Sequence, residues 1–299
     1  MKPLETDPDL KKTMYETILV GIDSSLPSTA ALIEASNWAN KHGGKLILVH
    51  AVYFDTEEFG IAPEQLDKRL KVGENMCVRT KRMLNSEFRL DAQSLLCEGE
   101  PATLIVEIAQ ENKADLVVLG THGRRGLNRL LMGSVTSQVI LNSPVDVLVV
   151  KKAGSEHPGE YKSILVPFDS SASSQKALDH AMHLAAINNA KLTVLYVIPR
   201  YEEMIGFFKT ESIEKNLRQE AEKILDKARM LSANERGISI ETEIREGHAA
   251  EKIMNIANQM NNDLIVMGSH GYRGVNKAII GSTAERVIIY APCPVLVAR

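Results

Sequence analysis

Cysteine is scarce in this 299-residue chain: Cys77, Cys97 and Cys293 are scattered and odd in number. That excludes a disulfide framework and any Cys-x-x-Cys metal site, and leaves the thiols as small core hydrophobes. Aromatic residues make up 5% of the chain, with a single tryptophan. No apolar run approaches the roughly 20 residues that a membrane-spanning helix needs. The N-terminal stretch Met1-Lys-Pro-Leu-Glu-Thr-Asp-Pro-Asp-Leu-Lys-Lys12 is polar and has no apolar signal core, so the expected location is the cytoplasm. Neither sign of charge dominates. With 35 Lys and Arg against 38 Asp and Glu, the net charge is −3, which argues against nucleic acid or an anionic membrane as the main partner.

What is present is ordinary for a globular chain: 44% hydrophobic and 24% charged residues. The length fits two domains of about 150 residues, and the chain reads as a duplication. Gly120-Thr121-His122-Gly123, followed after nine residues by Gly133-Ser134, recurs 148 residues on as Gly268-Ser269-His270-Gly271 and Gly281-Ser282. Thr17-Ile-Leu-Val-Gly-Ile-Asp23 recurs as Ser163-Ile-Leu-Val-Pro-Phe-Asp169, and Lys45-Leu-Ile-Leu-Val-His50 as Lys191-Leu-Thr-Val-Leu-Tyr196, both shifted by 146. Two extra residues therefore fall between the second and third strands of the second copy. A period of this length means tandem domains, not a solenoid. The limits are set at 13–152 and 161–299, joined by a charged, Gly- and Pro-containing linker at 153–160.

Within each copy, short apolar runs alternate with helical stretches. The first copy has strands near 17–22, 45–52, 92–97, 115–119 and 145–150, apolar on both faces as a helix-covered parallel sheet requires. A helix is expected over Ser28 to His42. Long charged amphipathic segments follow at about Pro63–Phe88 and Ser212–Asn234, and the cluster Ser170–Ser174 is suited to capping a helix. The fold class is α/β: two tandem doubly wound domains, each with a five-stranded parallel sheet. The irregular segments Tyr53–Ala62 and Tyr201–Thr210, the latter with Met204, Ile205, Phe207 and Phe208, are read as cover for the helices below them, with a lid or a partner surface as the alternatives.

In such sheets, ligands bind outside the carboxyl ends of the strands, where strand order reverses. Asp23 and Asp169 fall just past the first strands, the glycine loops just past the fourth, and Ala51 and Val197 at the ends of the second. Glycine lets backbone N–H groups approach an anion, and a helix N-terminus adds its positive dipole end. Ser134 and Ser282 add hydroxyls there, and Arg125 and Arg273 are placed to meet phosphate oxygens. The ligand implied is a nucleotide. Each element has a purely structural alternative: Gly-x-x-Gly as an ordinary turn, the aspartates and serines as helix caps. Their joint recurrence favours phosphate binding. His122 and His270 read as structural, because no nucleophile accompanies them in sequence.

Gly-x-x-Gly, nine residues, Gly-Ser resembles the signature of the ATP-binding branch of the universal stress protein family, and the strands ending in Asp23 and Asp169 are similar to that family's opening strand. The resemblance covers both copies. It implies an adenine nucleotide alpha hydrolase-like fold with strand order 3-2-1-4-5, and pairing of the two domains through their fifth strands, Pro144–Val150 and Pro294–Ala298. It also implies ATP (or ADP or AMP), compatible with Mg2+ but not demanding it. The expected binding residues are Asp23, Ala51, Leu119, Gly120, Gly123, Arg125, Gly133, Ser134 and Val135. Their counterparts are Asp169, Val197, Met267, Gly268, Gly271, Arg273, Gly281, Ser282 and Thr283. Family members act as stress-response regulators with slow hydrolysis or none, so a regulatory protein partner is implied, and further association into a homodimer is left open. No catalytic residue and no metal ligand are assigned.

Alternatives are a slow ATPase or phosphoryl-transfer enzyme and a nucleotide-independent interaction scaffold. Against the first, the chain has neither a Walker GxxxxGK[ST] loop nor a Ser-Gly-Gly-x-Asp-Ser loop. Against the second, both glycine sets are intact. Flavin binding ranks low, because no glycine follows the first strand.

Overall fold

A computed structural model describes residues 14–53, 63–123, 131–152, 158–199, 211–233, 238–271 and 279–299. The first half contains β1 (Thr17–Gly21), α1 (Leu26–His42), β2 (Lys45–Val52), α2 (Pro63–Met83), β3 (Ala92–Glu98), α3 (Pro101–Glu111), β4 (Leu116–Gly120), α4 (Ser134–Asn142) and β5 (Asp146–Val150). The second repeats it as β6 (Ser163–Pro167), α5 (Ala172–Asn188), β7 (Lys191–Ile198), α6 (Glu211–Ala233), β8 (Ile240–Glu246), α7 (Ala249–Gln259), β9 (Leu264–Gly268), α8 (Ser282–Tyr290) and β10 (Val295–Ala298). Strand positions agree with the sequence reading to within about a residue, the ordinary scatter of element ends.

Local chemistry explains the helix limits. Ser25 caps α1 by accepting the Ser28 N–H, Pro27 lies in the first turn, and Gly43, at φ 82°, closes the last. In α5 the cap is Ser171 and the left-handed closing residue is Asn189 at φ 49°. Asn is the residue other than Gly that adopts this conformation most readily. α2 runs into a π-helical turn, Leu84–Phe88, ended by Arg89 at φ 54°.

All ten strands form one sheet, in the order β3-β2-β1-β4-β5-β10-β9-β6-β7-β8. Each half carries the 3-2-1-4-5 order and is parallel throughout. The halves meet through β5 and β10, antiparallel, with Val149 opposite Val295, Leu148 opposite Leu296 and Val147 opposite Val297. These six side chains are buried. A strand that would be an apolar edge in an isolated half is thereby paired.

The true edges, β3 and β8, are only part-buried. Here the apolar-on-both-faces expectation gives way: Ile240-Glu-Thr-Glu-Ile-Arg-Glu246 alternates in charge, which blunts pairing with other chains. Helices cover both faces. One core layer gathers Trp38, Leu178 and Leu225; the other gathers Ile105, Val139, Ile253 and Val287.

Candidate functional site

The carboxyl end of β1 turns into α1 through four residues, 22–25. Asp23 donates its N–H to Ser28 Oγ (3.0 Å), and its Oδ1 accepts the Ser25 N–H (2.9 Å). Asp169 repeats this with Ser174 Oγ (3.3 Å) and the Ser171 N–H (3.0 Å). The turns pass through Ser24 and Ser170 at φ 64° and 62°, a conformation uncommon for non-glycine residues. The helix caps are therefore Ser25 and Ser171, not the aspartates. Each aspartate is anchored through Oδ1, and its Oδ2 lies against the glycine loop. A Cβ added to Gly123 would sit 2.5 Å from Asp23 Oδ2, and one on Gly271 would sit 2.7 Å from Asp169 Oδ2.

The loop glycines other than Gly281 lie in tight surroundings, and none of the six has positive φ. Gly120 packs under the start of α1, where a Cβ would meet Pro27 C at 2.7 Å and Ser28 N at 2.8 Å. Gly268 packs likewise on Ser173. Ser25 Oγ donates to the His122 carbonyl (3.4 Å), and Ser173 Oγ donates to that of His270. Gly133 donates its N–H to Thr121 O (2.9 Å), Gly281 to Ser269 O (3.0 Å). Gly133 and Gly281 are the N-caps of α4 and α8, and with no side chain they leave the helix N–H groups without a side-chain cap. Ser134 and Ser282 follow them, both exposed, and Val135 and Thr283 are part-buried. Capping is therefore not what these serines do.

The loops are tied down differently in the two halves. Thr136 Oγ1 donates to Gly120 O at 2.8 Å in the first; Ala284 stands there in the second. His270 Nε2 donates to Ile279 O (2.5 Å), which leaves Nδ1 to accept from Ser269 Oγ (2.8 Å). His122 pairs with Thr121 Oγ1 at 3.0 Å. Both rings are engaged within their own loops, as a structural role requires.

Ala51 and Val197 lie one residue before the ends of β2 and β7 and are part-buried. Leu119 and Met267 are core side chains, 4% and 5% exposed, so only their backbones are presented at the rim. Ala51 stands opposite Cys97 on β3, while Val197 stands opposite Arg245 on β8. Burial pushes the Cys97 thiol up from its ordinary value of 9.0, which favours the protonated thiol at neutral pH. His50 Nδ1 donates to Ile22 O at 2.7 Å, fixing the base of the first turn. Sequence reasoning missed His50, Ser25, Ser28 and Thr136, whose roles depend on contacts between separate strands and turns. Arg125 and Arg273, and Met204, Ile205, Phe207 and Phe208, lie outside the described residues.

The antiparallel β5–β10 pairing sends the carboxyl ends of the two halves in opposite directions. The two aspartate–glycine clusters therefore open on opposite rims of one sheet. The fold is a tandem α/β chain that brings an aspartate, a glycine loop and a helix N-terminus without a side-chain cap together at each rim.

The chain belongs to the universal stress protein family, whose profile matches residues 14–151 and again 160–299. A universal stress protein of Mycobacterium tuberculosis is 28% identical over 296 residues, covering 94% of this chain and 96% of its own. One from Methanocaldococcus jannaschii is 37% identical over 142 residues, 46% of this chain and 82% of the relative. Among solved structures, a universal stress protein of Archaeoglobus fulgidus matches with TM-score 0.70 at 20% identity, covering 97% of this chain and 98% of its own. Among the described residues, no helix is long and apolar enough to cross a membrane.

Proposed function

We propose that each half binds an adenine nucleotide, ATP in the first instance, at the carboxyl rim of its sheet, and that occupancy regulates a protein partner in the stress response. The observation that carries this reading is the approach of Asp23 Oδ2 to Gly123 and of Asp169 Oδ2 to Gly271, made twice at spacings where a Cβ would force the carboxylate to move. The carboxylate then accepts from ribose hydroxyls. The loop N–H groups, the bare starts of α4 and α8, and the hydroxyls of Ser134 and Ser282 receive phosphates. Arg125 and Arg273 extend the phosphate contacts, and the base lies along the strand ends at Ala51 and Val197. The domain limits are 13–152 and 161–299.

A Mg2+ ion, where present, is carried mainly by phosphate oxygens, because Mg2+ is usually held through one or two carboxylates together with substrate phosphates. The lack of a Walker loop in the sequence favours holding the triphosphate over spending it. The protein works in the cytoplasm.

Calorimetric titration with a non-hydrolysable ATP analogue, ADP and AMP tests the reading. Saturable binding supports it. Failure of every nucleotide to bind at millimolar concentration removes it, and turnover above roughly one per second would recast the protein as an enzyme.

A further inference from the structure

The seam between the halves contains duplicated positions that have diverged. Tyr15 and Tyr161 stand 146 residues apart, just before β1 and β6. Both are buried, and each donates its hydroxyl to an acid: Tyr15 to Asp146 Oδ2 at 2.6 Å, Tyr161 to Glu34 Oε1 at 2.8 Å. The second contact crosses the seam, from the start of the second half to α1 of the first.

Glu34 and His180 are themselves equivalent positions, also 146 apart, on α1 and α5. Their surroundings differ. His180 Nδ1 lies 2.7 Å from Asp146 Oδ2, also across the seam, and Asp146 Oδ1 accepts the Arg299 N–H at 2.9 Å. Glu34, 4% exposed, has Tyr161 as its hydrogen-bond partner and no basic partner among the described residues.

Glu34 also lines a cavity of about 10 Å3 where the halves meet, a volume that admits one water at most. Its walls are apolar side chains from both halves, among them Leu116, Leu184, Leu264 and Leu296, together with Trp38 and the two tyrosines. The titratable groups facing Glu34 are Tyr15, Tyr161 and, at the start of β9, Asp263. His42 stands one turn beyond Trp38 on α1, ring to ring at 4.1 Å.

We propose that Glu34 makes the seam between the two halves proton-linked: its neutral carboxylic acid fits the seam, and its ionisation loosens it. A carboxylate held away from water and without a cation is strongly disfavoured against its neutral acid. Tyr161 offsets part of that with one hydrogen bond, and Asp263 opposes it as a like charge. Burial dominates and raises Glu34 above its ordinary value of 4.5. The native seam therefore keeps a proton that the unfolded chain releases. The stability it contributes is complete below 4.5 and is lost as pH rises through the higher native value.

Trp38 is the single tryptophan of the chain. It stacks on Tyr161 at 5.9 Å between ring centroids, so its fluorescence reads the seam directly. The test is the emission maximum and the thermal midpoint of the full-length protein from about pH 5 to about pH 8.5, where buried carboxyls titrate. The His42→Gln background removes the quenching that a protonated His42 would add. The wild type is expected to shift to the red and lose about 3 °C or more in midpoint as pH rises, while Glu34→Gln shows neither change. Tyr161→Phe removes the hydrogen bond that favours the ionised form, so it should move the transition to higher pH. Identical pH profiles for wild type and Glu34→Gln would overturn the proposal. So would an unmoved transition in Tyr161→Phe, which keeps the proposal testable even if Glu34→Gln folds poorly.

Discussion

Asp23 and Gly123, a hundred residues apart in the chain, meet so closely that a methyl group on Gly123 would stand 2.5 Å from the Asp23 carboxylate. Asp169 and Gly271 repeat the contact at 2.7 Å. The glycines are needed for proximity, since neither has positive φ.

Asp23→Ala should separate the two tasks of this carboxylate. Loss of the Ser25 N–H contact costs about 1 kcal/mol of stability, a small shift in thermal midpoint. Loss of the ribose acceptor should weaken nucleotide binding at the first half by tenfold or more, since charge-assisted bonds contribute roughly 1.5–3 kcal/mol. Calorimetry on Asp23→Ala and Asp169→Ala checks this, each variant leaving the other rim unchanged.

Asp115 accepts the N–H groups of Glu16 (3.0 Å) and Thr17 (2.9 Å), and Asp263 accepts those of Lys162 (2.6 Å) and Ser163 (3.0 Å). These carboxylates hold the entry of β1 and β6 far from either rim. Asp115→Ala should cost about 1–3 kcal/mol in chemical denaturation while leaving nucleotide affinity within a factor of about two, inside the scatter expected for distant sites.

Gly159 follows the first half at φ +77°, and its carbonyl accepts from His42 Nε2 at 2.8 Å. A Cβ there would run into the Asn37 carbonyl. Gly159→Ala should therefore destabilise by about 2 kcal/mol or more, from backbone strain and the clash together. A thermal midpoint equal to wild type would show that this segment does not dock on α1 as described.

The duplication, the ten strands and the placing of the aspartates and glycine loops at one sheet edge were legible because they rest on local patterns that occur twice. Strand runs are contiguous, and glycine and serine positions recur at fixed offsets. What stayed hidden depends on partners far along the chain. Tyr15 finds Asp146 across 131 residues and Tyr161 finds Glu34 across 127, and no local spacing announces either pair. The recurrence of Tyr15 as Tyr161 at the shift of the first strands was the available signal. The roles of the serines were divided by geometry that composition does not encode: Ser25 and Ser171 cap, Ser28 and Ser174 hold the aspartate N–H groups, and Ser134 and Ser282 stay uncommitted. The alternating charges of β8 were visible in sequence, and its place at the sheet edge followed from the 3-2-1-4-5 order that the family resemblance implied.

The most direct test of the central claim is native mass spectrometry of the full-length chain with ATP, counting nucleotides per chain in wild type, Gly123→Val, Gly271→Val and the double variant. A valine at either glycine fills the space against the carboxylate and closes that rim alone. The account predicts two nucleotides for wild type, one for each single variant and none for the double. Wild type without bound nucleotide at millimolar ATP, or unchanged occupancy in the double variant, would contradict it.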